Sequence, residues 1–452
     1  MSYVPHTDDE RRDMLAAIGV TRLADLFADV PETIRFPALD LPDPLPEAEL
    51  VPAMRALADG NLHGGGAESF LGAGVYRHFR PATVDAILGR SEFYTSYTQY
   101  QPEVSQGMLQ ALFEYQSMVC RLTAMEVATA SHYNGANALA EAVLLALDAG
   151  SRSGRRGVVL SPALNPQYRE VVRTCLGARD AEITGDENWE ALDPARLAAR
   201  VSGNTAALVV QSPGFFGQIE PLEALVAAAH GAGALAIVVT DPVFLGLFRP
   251  PGAAGADVVV AEGQPLGIPP GFGGPHLGMF ATRMAHVRRM SGHLVGETRD
   301  GCGRRGWVLT LATREQHIRR ARATSNICTN SALCALAATV HLATLGRSGL
   351  RRVAELCWHK SHYAAAEIAR LPGVAVNPAP LPGQPFFREF VVQLPRPAAE
   401  VGARLHELGI IGGYDLGKVS PALGDRMLIA VTEVNPRASI DRLVAALAKA
   451  VS

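Results

Sequence analysis

The sequence predicts an α/β fold, with a large, mainly parallel sheet covered by helices and a small α/β domain closing the chain. Three observations carry this. Five apolar runs recur between residues 157 and 281: Gly157 to Leu160, Ala206 to Gln211, Leu235 to Thr240, Val258 to Val260 and Leu277 to Ala281. They are near-continuously apolar rather than alternating, as strands buried on both faces of a parallel sheet are. Segments with helical spacing lie between them, at Pro166 to Leu176, Asp193 to Val201 and Pro221 to Ala232, the pattern of helices covering such a sheet.

Bulk composition narrows the function. The chain has 452 residues, 48% apolar and 19% charged, which suits a compact protein of more than one domain. A net charge of −3 provides no polycation to grip nucleic acid or an acidic membrane. The six cysteines (Cys120, Cys175, Cys302, Cys328, Cys334 and Cys357) form no CxxC pair, so free thiols in a reducing compartment are expected. The polar, acidic segment Met1 to Glu10 is no signal peptide, and the apolar stretch Ser331 to Leu345 is too short to span a bilayer. The expectation is a soluble, cytoplasmic protein.

Taken in order, Thr7 and Glu10 make a capping box for a short helix that ends at Gly19. A second short helix follows around Leu23 to Phe27. Pro31 to Pro52 holds six prolines without a period and reads as an extended arm, either a subunit contact or a plain linker. Ser105 to Leu122 is an amphipathic helix whose apolar face is read as core. Asn134-Gly135-Ala136 opens a small-residue helix reaching Leu147, and a long helix starts near Asn330 and runs towards Leu371. Val374 to Val376, Phe387 to Leu394, Ile410-Ile411 and Met427 to Val431 then read as strands, with helices at Ala398 to Leu408 and Ser439 to Val451. The boundaries are residues 1–60 for the arm and helices, 61–328 for the large domain and 329–452 for the long helix and small domain.

Several stretches could carry chemistry. Asp241 ends a parallel strand at its carboxyl end, where α/β proteins bind ligands. It reads as a cap for the turn into Pro242 or as the carboxylate that keeps a pyridoxal phosphate (PLP) ring nitrogen protonated. Gly135, at a helix N-terminus, presents N–H groups to a phosphate or belongs to an ordinary Asn134-capped helix. Thr95 to Gln106 is a polar run with two tyrosines and no period, either a binding loop or a turn capped by Ser105. Thr313 to Thr329 holds a cationic cluster, solvated or facing an anion, and then Ser325-Asn326 as caps. There is no Walker lysine, GxSxG elbow, HExxH or paired-cysteine metal site.

The Gly/Pro-rich turn Ala261 to His276 sits between two buried strands. That is where a fold type I PLP enzyme carries its cofactor lysine, yet the only lysines here are Lys360, Lys418 and Lys449.

Phe70-Leu71-Gly72-Ala73-Gly74-Val75-Tyr76, Tyr97 through Gln106, Asn134-Gly135-Ala136, Phe215-Phe216-Gly217, Gly271 to His276, Thr313 through Thr329, Phe386 to Leu394 and Ala430 to Glu433 together resemble one family. It is the P-protein of the glycine cleavage system, in its alpha or N-terminal-half type. The resemblance implies a fold type I PLP-dependent transferase architecture, aspartate aminotransferase-like. It also implies a beta partner, two chains of each type assembling as a tetramer, that binds PLP covalently through a lysine this chain lacks. Gln264 stands at that lysine's position. The implied reaction of the pair, glycine dehydrogenase (aminomethyl-transferring), decarboxylates glycine, releases CO2 and passes the aminomethyl group to the lipoyl arm of H-protein. By the same resemblance Tyr97, Thr98, Tyr100, Gln101, Glu103 and Ser105, with Ser325 and Asn326, reach the partner's active site. Asn134, Gly135, Asp241, Gly273 and Gly274 mark a vestigial cofactor site, and no residue is catalytic in this chain. Gln99 stands where a proline is usual, Asn134 for an aspartate, Gly214 for an asparagine, Ala124 for a glycine, Arg322 for a lysine, and Ser291-Gly292-His293 for Pro-Gly-Arg. These departures leave open a scaffold protein, or a paralogue acting on another glycine-like amine.

Overall fold

The computed structural model describes residues 6–61, 67–95, 99–187 and 192–452. The chain divides into two compact units, Met1–Leu62 and His63–Ser452.

In the first unit, Thr7 caps the helix Asp8–Ile18 in a complete capping box, and Gly19 closes it in the left-handed region. Leu23–Phe27 follows as a short 3-10 helix. The Pro-rich stretch ends in an unanticipated helix, Glu47–Asp59, with Pro52 inside it. Pro52 removes one backbone hydrogen bond, but Glu47 and Glu49 complement the positive end of the helix. The proline count concealed that pattern.

The second unit is built on a seven-stranded sheet in the order Val127–Ala128, Gly278–Thr282, Val258–Glu262, Leu235–Thr240, Thr205–Gln211, Gly157–Leu160, Glu182–Thr184. Five of the strands are parallel; Gly278–Thr282 runs antiparallel to Val258–Glu262. Valine and alanine fill the central strands because both faces are covered. One face packs against the helix Gly135–Gly150 through Leu139, Val143 and Ala146. The other packs against the helix Gln106–Thr123 through Leu109, Leu112 and Val119.

A hairpin pairs Leu294–Arg299 with Arg305–Thr310. The helix Ala332–Ile368 follows, broken at Gly346 (φ 61°). It is long and apolar enough to cross a membrane by length and composition, a span that Ser331 to Leu345 alone does not suggest. Ala335, Ala337 and Ala338 near its start are instead packed in the core. A second sheet, in the order Ala375–Val376, Glu389–Gln393, Arg426–Ala430, Tyr414–Asp415, is backed by helices Ala398–Glu407 and Arg437–Val451. Chain reversals thus bring the ends of Leu235–Thr240 and Val258–Glu262 against the start of Glu389–Gln393, around one pocket.

Candidate functional site: a closed pocket and a polar loop cluster

The carboxyl ends of the parallel strands meet a pocket lined by Tyr76, Tyr168, Asp241, Glu262, Arg388 and Glu389. Every feature that would hold a phosphorylated aldehyde cofactor there is engaged by the chain itself. Gln264 is 1% exposed. Its Oε1 accepts from the Tyr76 N–H at 3.0 Å, and its Nε2 donates to the carbonyls of Tyr76 at 3.0 Å and Ile268 at 2.6 Å. A carboxamide with one acceptor and two donors fits this peptide clamp; an ammonium, which only donates, would leave the Tyr76 N–H unpaired.

Gly135 begins its helix with an N–H that donates to Glu262 Oε2 at 2.9 Å. Glu262 Oε1 accepts from the N–H groups of Gln264 at 3.0 Å and Leu277 at 2.9 Å. The anion at the helix's positive end is therefore a side chain of this protein. Asn134 caps the same helix, its side chain accepting from the Asn137 N–H at 2.8 Å. Gly135 leaves no room for a Cβ, which would collide with the Tyr168 hydroxyl.

Asp241 caps its turn and is paired within the chain. Oδ1 accepts from the Val243 N–H at 2.8 Å, which caps the turn, and Oδ2 pairs with Arg388, itself 2% exposed. A guanidinium from the second sheet thus neutralises the carboxylate. It lies over the Tyr76 ring, 3.5 Å from the centroid, and Tyr76 Oη donates to Glu389 Oε2 at 2.6 Å. Burial pushes the Glu389 carboxyl up to about 7. Arg388 also meets His78, whose Nδ1 lies 2.6 Å from Glu433 Oε2. Against the push of burial, hydrogen bonding to His78 holds Glu433 down at about 2. His78, Cys357 and Glu433 sit within metal-binding distance of one another, but Arg388 on His78 and Lys360 on the Glu433 carbonyl make this a charge chain unsuited to a further cation. Without a primary amine, with its anion position filled and its carboxylate paired, the pocket does not fit PLP.

Gly273 (φ +89°) is exposed with open space around it, and Gly274 is half-buried against His276; neither lines the pocket. The residues that sequence reading missed as site members are Tyr76, His78, Glu262 and Arg388. For two of these a signal was available: Tyr76 and Arg388 lie in stretches that carry the resemblance, as do their neighbours Glu389 and Glu433. Periodicity could not reveal that these stretches converge, since more than 300 residues separate Tyr76 from Glu389.

The second centre forms around the polar loop. Tyr97 and Thr98 lie outside the described residues. Gln99 is 2% exposed, with Nε2 donating to Asn330 Oδ1 at 2.8 Å and lying 3.3 Å from His293 Nδ1. Tyr100 is half exposed; its hydroxyl donates to the Cys328 carbonyl at 3.2 Å, and its ring meets His293 edge-on at 5.4 Å. Gln101 and Glu103 are exposed, and Ser105 is buried at the helix start without a side-chain capping bond. Gln106 ties the loop to the hairpin through both the N–H and the carbonyl of Trp307. Gln99 and His293, which the resemblance marks as departures, therefore touch each other. A third, Ser291, bonds His132 at 3.1 Å; burial pushes the His132 imidazole down to about 3, so it stays neutral. Ser325 and Asn326 line a separate cavity. Arg314 donates to the carbonyls of Leu311, Met290 and Gly292, and His317 lies 3.5 Å from Glu315, a carboxylate on which the charge of Arg314 also acts.

Known proteins resemble this arrangement along its full length. Residues 1–447 match the family described as glycine cleavage system P-protein. The chain is 51% identical over its whole length, and over the whole of the relative, to "Probable glycine dehydrogenase (decarboxylating) subunit 1" of Thermomicrobium roseum. It is 50% identical to the protein of that name from Geobacillus kaustophilus, over 98% of this chain and 97% of that one. The crystal structure of glycine decarboxylase (P-protein) of the glycine cleavage system, in inhibitor-bound form, superposes with a TM-score of 0.88 at 45% identity, covering all of both chains. A sphingosine-1-phosphate lyase of Burkholderia pseudomallei shares the fold, with a TM-score of 0.66 at 18% identity over 93% of this chain and 94% of that one. The resemblance in sequence, the shared architecture and the full-length matches lead to one conclusion: this chain belongs to the glycine cleavage system P-protein family.

Proposed function

We propose that this chain is the non-catalytic alpha subunit of a glycine decarboxylase, working in the cytoplasm with a PLP-bearing subunit 2. The pair releases CO2 from glycine and hands the aminomethyl group to the lipoyl arm of H-protein. One observation supports this above the rest: Gln264, which the resemblance puts at the position of the cofactor lysine, is buried with its carboxamide consumed by the Tyr76 and Ile268 peptides. A chain that has spent its own cofactor pocket on internal packing contributes by other means. Its part is to wall off the partner's site from water and orient groups towards it. The loop running through Tyr97, Thr98, Tyr100, Gln101, Glu103 and Ser105 is the segment offered to that site. Tyr100 is held at its inner edge by the Cys328 carbonyl.

Reconstitution tests this. The purified chain with PLP shows no Schiff-base absorbance, and with subunit 2 and lipoylated H-protein it restores glycine–bicarbonate exchange. Tyr100→Ala lowers the exchange rate roughly tenfold or more, as loss of a positioned active-site group does, while the subunits still co-elute. Full activity of subunit 2 alone would overturn the reading. The mutual contact of Gln99 and His293 favours a second possibility, a glycine-like amine as substrate; faster turnover of another small amino acid than of glycine would establish it.

A further inference from the structure

The buried imidazole of His293 sits where three segments meet: the polar loop at Gln99, Glu315 at the start of the helix Gln316–Arg319, and Asn330 ahead of the long helix. Its Nδ1 lies 3.3 Å from Gln99 Nε2, and its Nε2 lies 3.5 Å from Glu315 Oε2. Both separations exceed the usual hydrogen-bond length of about 2.9 Å. The ring is shared between two partners and held closely by neither.

Those partners suit different protonation states. Gln99 Nε2 only donates; one hydrogen goes to Asn330 Oδ1 at 2.8 Å and the other faces His293 Nδ1. That nitrogen accepts only in the neutral ring. Glu315 is the opposite case. Against the push of burial, hydrogen bonding to His293 holds its carboxyl below the usual range, so it remains an anion and favours a cationic ring. Other charged groups stand around the pair. His317 lies 3.5 Å from the same carboxylate, and Arg314 is fixed on the Met290 and Gly292 carbonyls. His132, bonded to Ser291, stays neutral. By the resemblance, Gln99 and His293 stand where a proline and an arginine are usual, so a titratable group has taken the place of a fixed cation.

We propose that His293 is a positioning residue: neutral, it holds the polar loop through Gln99, and protonated, it releases the loop to pair with Glu315. A proton taken from solvent puts a hydrogen on Nδ1, opposite the Gln99 donor, and a charge-assisted bond to Glu315 replaces the contact that is lost. The neighbouring Tyr100, whose ring meets His293 and whose hydroxyl lies 3.2 Å from the Cys328 carbonyl and 3.8 Å from its Sγ, then leaves its place beside Cys328. The consequence for activity rests on the reading above that this loop reaches the partner's site; the loop movement does not.

Cys328, which is exposed, reports that movement. The full chain, without subunit 2, is treated with iodoacetamide from about pH 5.5 to 8, where an imidazole changes charge, and labelling is followed by mass spectrometry. His293→Asn keeps a carbonyl acceptor for Gln99 but takes up no proton. Thiol chemistry is common to both chains, so their rate ratio at each pH isolates the loop. At the upper end of the interval the native chain labels at Cys328 like the variant; at the lower end it labels severalfold faster. The ratio at Cys302, exposed on the hairpin turn, stays near one throughout. Gln99→Met, which removes the donor, labels fast at both ends, and His317→Gln keeps the native response. A native-to-variant ratio that is flat with pH, a pH response that survives in Gln99→Met, or one lost in His317→Gln would overturn the assignment. The flat ratio is also the result expected if the Gln99 amide turns over to accept from the protonated ring. Failure of reconstituted glycine–bicarbonate exchange would count against the decarboxylation reading alone.

Discussion

Gln264 shows how one side chain closes a catalytic possibility and stabilises a fold at once. Gln264→Lys would restore the amine yet remove the acceptor of the Tyr76 N–H and place an ammonium in a 1% exposed site. Denaturant titration should register a loss of roughly 3 kcal/mol. Added PLP should still give no Schiff-base absorbance, since Glu262 and Arg388 hold the other two anchoring positions. Glu389 makes a pH prediction. Its folded carboxyl titrates near 7, against 4.5 as an ordinary glutamate. Between those values the folded state binds the extra proton, so this group lowers stability as pH rises through the window. Glu220, also raised to about 7 by burial, adds a slope of the same sign. Glu433, lowered to about 2, stabilises above its ordinary value of 4.5, and that contribution is lost as pH falls through the interval down to 2. His132 and His341, lowered by burial to about 3 and about 4, act in the opposite sense up to their ordinary value of 6.5, so the readout is the difference between variant and native chain. The urea midpoint of Glu389→Gln should rise relative to that of the native chain from about pH 5 to 7; a constant difference would refute the assignment to Glu389.

Among the elements, the helix Gly135–Gly150 carries the most consequence. Its first residue touches the closed pocket, and its Asn137–Glu141–Leu144 face lines the separate cavity beside Ser325 and Asn326. Gly135→Ala, harmless at most helix starts, would drive a methyl group into the Tyr168 hydroxyl. A loss of about 1–3 kcal/mol is the expected range for such overpacking, measured by thermal or urea unfolding. The element-level reading of the sequence was accurate where the period was strong. The five apolar runs, the Gln106–Thr123 helix and the strands Glu389–Gln393 and Arg426–Ala430 were all legible, because burial on both faces or one imposes its own spacing. The helix Glu47–Asp59 was hidden by Pro46 and Pro52. The hairpin Leu294–Arg299 with Arg305–Thr310 was missed because its first strand turns polar and exposed after Gly296 and the alternation of Trp307 and Leu309 in the second is only two residues long.

For the molecule as a whole, no residue described in the first unit is buried, and Ile18, Leu23, Leu39, Leu41 and Leu57 are each more than 60% exposed. A segment of this size without a core of its own needs a surface to lie on. We propose that the partner subunit provides that surface. A chain lacking residues 1–62 should keep the unfolding midpoint of the remaining domain yet fail to co-elute with subunit 2 in size-exclusion chromatography; normal co-elution would count against this role for the arm. What the sequence determined alone was covalent and periodic: the absence of any lysine before Lys360, the sheet's apolar runs and the family-like motifs. Those properties reside in single residues or their neighbours, and composition and spacing record them directly. Only the tertiary structure decided that Arg388 neutralises Asp241, that Glu262 takes the anion's place at Gly135, and that Gln99 meets His293. Each joins residues more than a hundred positions apart, brought together by strand order and chain reversal, and local sequence carries no record of such distances.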